Sequence, residues 1–302
     1  MLRRDFLRSG AATLLAAAIQ TSSLARKNRT MTTQGQYATV NGLNLYYERH
    51  GTGEPLILIH GGLGTIDAIF GRLLPALAAQ RQVIAVELQG HGHTADNGRP
   101  MTYEAMADDV AALIGALGLR KVDVAGYSVG GGVALQIGLR HSDAVRKLVV
   151  ISAPHATSGW FPEVLAGTAA MDPEAMRGSK WYEAYAKVAP RPQDWPLLVR
   201  NVARLMSSQY DWSNDIANRL SAPILTINGD ADSVRPAHAL ALYELAGGGK
   251  ADGFATGRGP SQLLIVPQTN HLEILDRTAL PPAILDYLRR DEGVAPPFSV
   301  EV

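Results

Sequence analysis

Residues 122–132 read VDVAGYSVGGG, and the reading of this stretch sets the reading of the whole chain. Val122 and Val124 are strand formers and Ala125 continues the run. Past the glycines, VALQIGLR becomes helix-like. A strand that turns sharply into a helix has little room for side chains at the corner. Gly126 and Gly130 are therefore expected to flank the corner, with Ser128 at its tip. This is the G-x-S-x-G nucleophile elbow, which lifts a hydroxyl above the end of a parallel sheet. The competing reading is a glycine-rich helix start that merely permits close packing, so the flanking sequence must decide.

The flanks are orderly. YATVNGLNLYYERHG (37–51) reads as two strands joined by Asn41-Gly42, a strong hairpin signal. Pro55 opens LILIH, a continuous apolar run typical of a strand buried on both faces, which stops at His60-Gly61-Gly62. DAIFGRLLPALAAQ (67–80) has helical spacing, and RQVIAVELQ (81–89) is another buried strand. After the loop GHGHTADNGRP comes an amphipathic helix, with Thr102 as its N-cap. Beyond the elbow, VRKLVVISA, APILTINGD and SQLLIVPQ read as strands, with helices at PAHALALYELA and PPAILDYLRR. The alternation predicts an α/β fold with a mostly parallel sheet and helices on both faces. Residues 155–220 break the pattern. They hold Trp160, Trp181, Trp195 and Trp212, all four tryptophans of the chain, and are expected to form a helical cap. The core is then 31–154 and 221–302, and GGGKADGFATGRGPS (247–261) is a glycine-rich loop.

Composition narrows the function classes. Hydrophobic residues make up 46% and charged residues 19% of 302, the balance of a globular protein. Lys plus Arg equals Asp plus Glu, at 28 each, so no global field favours nucleic acid or an anionic membrane. The chain has no cysteine, which excludes disulfides, a thiol nucleophile and thiolate metal sites. Residues 1–30 stand apart as a leader. MLRRDFLRSGAATLLAAAIQTSSLA resembles a twin-arginine export signal, with Arg3 and Arg4 ahead of a short apolar stretch and a small-x-small ending at Ser23-Leu24-Ala25. That stretch is too short and alanine-rich for a stable membrane span. The expectation is a periplasmic or secreted protein, or a cytoplasmic one if Met31 is the true start.

Five segments carry a resemblance: HGG at 60–62, ELQGHGHTAD at 87–96, GYSVG at 126–130, INGDAD at 227–232 and TNHLEILD at 269–276. Together they resemble the α/β-hydrolase superfamily, in particular its serine esterase-like members with a helical cap, over about residues 36–290. The resemblance implies a catalytic triad of Ser128, Asp232 and His271. A serine hydroxyl needs a base to take its proton, imidazole does this near neutral pH, and a carboxylate fixes the imidazole's tautomer. His271 follows a strand near the C-terminus, as the family's base does, and Asp232 is preferred to Asp230 two residues before it. Some relatives carry the acid after the preceding strand, where this chain has Ser152-Ala153-Pro154 and no carboxylate. Val129 and Gly62 are the expected oxyanion-hole donors, with Leu63 as the alternative to Gly62. Leu63, Trp160 and Trp181 are the expected substrate contacts. Relatives that act on epoxides or haloalkanes use aspartate where this chain has Ser128, which favours acyl transfer to water. The expected activity is a serine carboxylesterase on small or medium apolar esters, or a lactonase. Alternatives are a C–C bond hydrolase or an aminopeptidase on the same fold, or a non-catalytic ligand receptor. No phosphate loop, dinucleotide loop or zinc motif implies a cofactor, and the expected partner is a small-molecule ester, without nucleic acid.

Overall fold

The computed structural model describes residues 35–249 and 259–290. The leader and its twin-arginine pattern, and most of the 247–261 loop, lie outside the described residues.

The sheet begins as a hairpin. β1 (Gln36–Val40) pairs antiparallel with β2 (Leu43–His50). Asn41 and Gly42 both take positive φ, 48° and 74°, as a tight two-residue hairpin turn requires. β3 (Pro55–Ile59), β4 (Gln82–Glu87), β5 (Val122–Tyr127), β6 (Val145–Ile151), β7 (Ile224–Gly229) and β8 (Gln262–Val266) complete it. The strand order is β1-β2-β4-β3-β5-β6-β7-β8, with every pair from β4 to β8 parallel. The expected mostly parallel α/β sheet is the one observed.

Burial on both faces explains the apolar runs. Along β3, Ile57 and Ile59 point into one hydrophobic layer while Leu56 and Leu58 point into the other. The first layer is closed by α3 (Tyr103–Ala116) and α4 (Val129–Arg140), the second by α1 (Ile66–Phe70), α2 (Leu73–Ala78) and a C-terminal helix (Leu280–Arg289). Thr102 caps α3, its side chain accepting from the Ala105 amide. The single helical period seen in 67–80 is in fact two helices. A continuous helix would need an amide at position 75 to reach the Gly71 carbonyl, and Pro75 has none.

Between β6 and β7 the chain forms α5 (Pro162–Ala169), α6 (Lys180–Val188), α7 (Trp195–Ser207) and α8 (Ser213–Arg219). The segment leaves and returns through one short stem. The Thr157 amide donates to the Tyr210 carbonyl and the Trp212 amide to the His155 carbonyl. α8 packs on α4 and on α9 (Pro236–Leu245), so it belongs to the helical layer on the sheet. The C-terminal helix is α10.

Candidate active site

β5 ends at Tyr127 and α4 begins at Val129, so Ser128 alone makes the turn. It does so at φ 54° and ψ −120°, a conformation that costs a non-glycine residue about 1–3 kcal/mol. The neighbouring backbone holds it there. The Ser128 amide donates to the Ile151 carbonyl at 2.9 Å, and its carbonyl accepts from the Gly131 and Gly132 amides. A Cβ on Gly126 would collide with the Gly130 carbonyl, and one on Gly130 with the carbonyls of Ile59 and His60. Both flanking glycines are therefore steric necessities of the corner, which separates this elbow from an ordinary glycine-rich helix start.

The structure brings His271 and Asp232 to that corner. His271 Nε2 lies 3.0 Å from Ser128 Oγ, and its Nδ1 lies 2.7 Å from Asp232 Oδ1. A carboxylate only accepts, so the proton belongs on Nδ1 and the Nε2 lone pair faces the serine hydroxyl. Asp232 is buried and fully engaged. Oδ1 also accepts from the Val234 amide at 3.2 Å, while Oδ2 accepts from the Ser152 hydroxyl at 2.5 Å and the Gly229 amide at 3.1 Å. Burial pushes this carboxyl up, but the His271 hydrogen bond and charge, then the Ser152 and Gly229 donors, outweigh it and hold the group below the ordinary carboxylate value. Asp230, the rival acid, is exposed and accepts from the Thr269 amide instead.

The other histidines have different partners. His60 Nδ1 donates to the Gly61 carbonyl and its Nε2 accepts from the Leu88 amide, tying the HGG loop to the end of β4. Burial, with the neighbouring His91, lowers His60 to about 4, and burial does the same to His91. Both are neutral structural groups. His93 and His50 bond Glu87 and Glu48, His141 bonds Asp108, and His155 stacks on His238 at 4.0 Å.

The expected donors and contacts fall around the elbow unevenly. A Cβ on Gly62 would lie 3.3 Å from Val129 Cγ2 and 2.9 Å from Val202 Cγ1, so this glycine lies between the start of α4 and α7. The left-handed backbone of the loop falls on Leu63, at φ 60°, and its side chain is buried in the layer under α7. Trp160 is 2% exposed and meets the His271 ring edge-on at 5.8 Å. Trp181 is half-buried and lines a cleft of about 160 Å³ together with Tyr127 and Leu272. A second, open cleft of about 440 Å³ reaches His271 between Phe161, Val164 and Leu272. Trp195 and Trp212 serve packing. The Trp195 indole donates to the Pro173 carbonyl and its ring meets Tyr182 and Tyr185, while Trp212 stacks on Tyr210 at 4.3 Å.

Two residues escaped the sequence reading. The Tyr127 hydroxyl donates to the His271 carbonyl at 2.7 Å, fixing the loop that carries the imidazole. Ser152 holds Asp232. The only available signals were position, one residue before Ser128 and one residue past β6.

A family model described as the alpha/beta hydrolase fold matches residues 54–209. The chain belongs to the alpha/beta hydrolase family. Among curated relatives, the chain is 32% identical over 187 residues to a putative carbamate hydrolase, RutD, of Caulobacter vibrioides. The match takes in 57% of the chain and 63% of that relative, so the chain spans less than two thirds of the relative's length. It is also 38% identical over 117 residues to a soluble epoxide hydrolase of a Corynebacterium species, across 38% of the chain and 40% of the relative. Among solved structures, a carboxylesterase, CesB, of Bacillus subtilis superposes with a TM-score of 0.65 at 21% identity, over 86% of this chain and 93% of that one. A meta-cleavage product hydrolase of Pseudomonas fluorescens gives 0.65 at 22% identity, over 84% and 97%. At such identities the superpositions speak for the fold alone. Among the described residues, no helix is long and apolar enough to cross a membrane.

Proposed function

We propose that this hydrolase cleaves carboxylic esters through an acyl-enzyme on Ser128. The observation that carries the reading is the continuous relay from Ser128 Oγ through His271 to a buried Asp232, at 3.0 and 2.7 Å. As Oγ attacks the substrate carbonyl carbon, its proton passes to His271 Nε2, and the carbonyl π electrons move onto oxygen. Asp232 stabilises the imidazolium that forms and keeps the ring from turning. The Val129 amide at the start of α4 and the Gly62 amide (or Leu63, its neighbour) are the proposed oxyanion donors, each worth about 10²–10³ in rate. Collapse of the tetrahedral species expels the alcohol, which takes the proton from His271. Water then repeats the sequence on the acyl-enzyme. A serine at the elbow tip supports acyl transfer over displacement at a saturated carbon, because the same hydroxyl must be acylated and then released.

Trp160 beside His271, and Trp181 in the adjoining cleft, are the proposed substrate contacts, consistent with small or medium apolar esters or lactones. Carbamates are the second reading, favoured by the name of the 32% identical relative and requiring the same attack on a carbonyl carbon. A panel of p-nitrophenyl acetate, p-nitrophenyl butyrate, a lactone and an aryl carbamate ranks the classes. Turnover of an ester that disappears in Ser128→Ala supports the reading. Ester turnover unchanged in that variant overturns it.

A further inference from the structure

We propose that Ser152 is a positioning residue of this site, its hydroxyl clamping the second oxygen of Asp232 so that the first stays aimed at His271. The inference rests on the functional reading above and extends it to a residue that touches no reacting atom.

Four observations carry it. The Ser152 hydroxyl donates to Asp232 Oδ2 at 2.5 Å, the shortest of the four hydrogen bonds that the carboxylate accepts. Ser152 is completely buried, so no water competes for that oxygen. Its backbone takes φ 51°, a left-handed conformation uncommon outside glycine, while its amide still bonds the Ile227 carbonyl as the sheet pattern demands. A buried serine stands at a left-handed position that glycine would adopt freely, which points to the side chain rather than the turn. Finally, the geometry of the carboxylate makes the clamp consequential. Asp232 can rotate about its Cβ–Cγ bond, and without Ser152 only the Gly229 amide at 3.1 Å holds Oδ2. Ser152 reaches across 80 residues of sequence from the end of β6 to the loop after β7, so the clamp also joins two strands' ends at the site.

The two oxygens of Asp232 share one charge. A donor on Oδ2 draws charge away from Oδ1, so removing it leaves Oδ1 a stronger acceptor for the imidazole N–H. Two effects should then appear together. The rate falls because the ring is less firmly oriented, and the acid limb of kcat/KM moves to higher pH because the imidazolium is held more strongly.

The test uses the full protein, with Ser152→Ala and Ser152→Gly compared with wild type on p-nitrophenyl acetate. Both variants lose the hydroxyl, but only glycine relieves the backbone. Expected for both is a fall in kcat of about tenfold, the equivalent of part of a hydrogen bond to a charged group, with KM within about twofold. The acid limb should rise in both. The proton NMR signal of His271 Nδ1–H should shift in both variants, a readout that needs no substrate. Wild-type kcat, acid limb and proton shift in either variant would overturn the proposal, as would a loss in Ser152→Ala that Ser152→Gly restores, since that marks a purely conformational role. A wild type inert to every ester, with the proton signal still displaced in the variants, removes the esterase reading and leaves the clamp standing.

Discussion

At the scale of single residues, the proposed mechanism makes the Ser128 hydroxyl, the His271 imidazole and the Asp232 carboxylate depend on one another, so their contributions should not add. Ser128→Ala should keep the fold, because alanine fits the corner as serine does, and should lose nearly all ester turnover. What remains is the ~10³–10⁴ over water that binding and the oxyanion donors supply. His271→Ala should fall to the same level. The two aspartates separate cleanly. Asp232→Asn replaces the acceptor of the His271 Nδ1 proton and should cost about 10³–10⁴ in kcat. Asp230→Asn alters an exposed side chain bonded to the Thr269 amide and should stay within about threefold of wild type. Steady-state kinetics of the four variants check this, and a larger loss at Asp230 than at Asp232 would reassign the acid.

At the scale of elements, the corner between β5 and α4 is held by backbone contact. Gly130→Ala should destabilise the protein by at least about 1–3 kcal/mol, because its methyl group meets the Ile59 and His60 carbonyls and no side chain can yield. Thermal melts of Gly130→Ala beside Gly167→Ala, where nothing lies within 4 Å of the added methyl, should show a drop for the first alone. The helical segment sorts its tryptophans in the same physical way. Trp195→Ala empties a fully buried site and should cost about 3–5 kcal/mol while keeping the wild-type ratio of butyrate to acetate turnover. Trp160→Ala or Trp181→Ala should change that ratio, since both rings border His271 or the cleft beside it. A wild-type ratio in both would assign these rings to packing.

At the scale of the whole molecule, the folded state holds several histidines neutral. Burial lowers His60, His91 and His155 to about 4, and His238 is lowered as well. The unfolded chain binds protons at these groups near pH 6.5 while the folded one does not, so stability falls as pH drops from about 6.5 towards 4. Each group contributes up to about 1.4 kcal/mol per pH unit. His93, raised by its bond to Glu87, acts the other way, with stability present at low pH and lost as pH rises through its folded value. Four against one gives a net loss on acidification, expected as a fall in Tm of several degrees between pH 7 and pH 5. A flat or rising Tm over that interval would show that these burials are not maintained in solution. For the leader we propose export by the twin-arginine route. Replacing Arg3 and Arg4 with lysine should hold full-length protein inside the cell. Processed protein in the periplasm despite that change, or a native N-terminus at Met31, would refute the route.

Sheet class, hairpin, elbow and the α3 cap were legible from residues 36–290 because each rests on local physics. A strand buried on both faces must be apolar throughout, Asn-Gly accepts positive φ, and a sharp strand-to-helix corner tolerates only glycine beside it. The candidate Ser128, Asp232 and His271 were legible as residue types after strands in a known order, not as neighbours. Their meeting depends on parallel β5, β7 and β8 ending on one edge of the sheet, which long crossovers decide. The break in 67–80 has a local signal, Pro75, which leaves the Gly71 carbonyl without a helical partner, but the hydrophobic period alone does not carry it. Two features had no signal beyond chain position. The Tyr127 hydroxyl finds the His271 carbonyl across 144 residues, and Ser152 finds Asp232 across 80. Hydrogen bonds of that range leave no periodicity in the chain, so only the packed sheet could bring their donors and acceptors together.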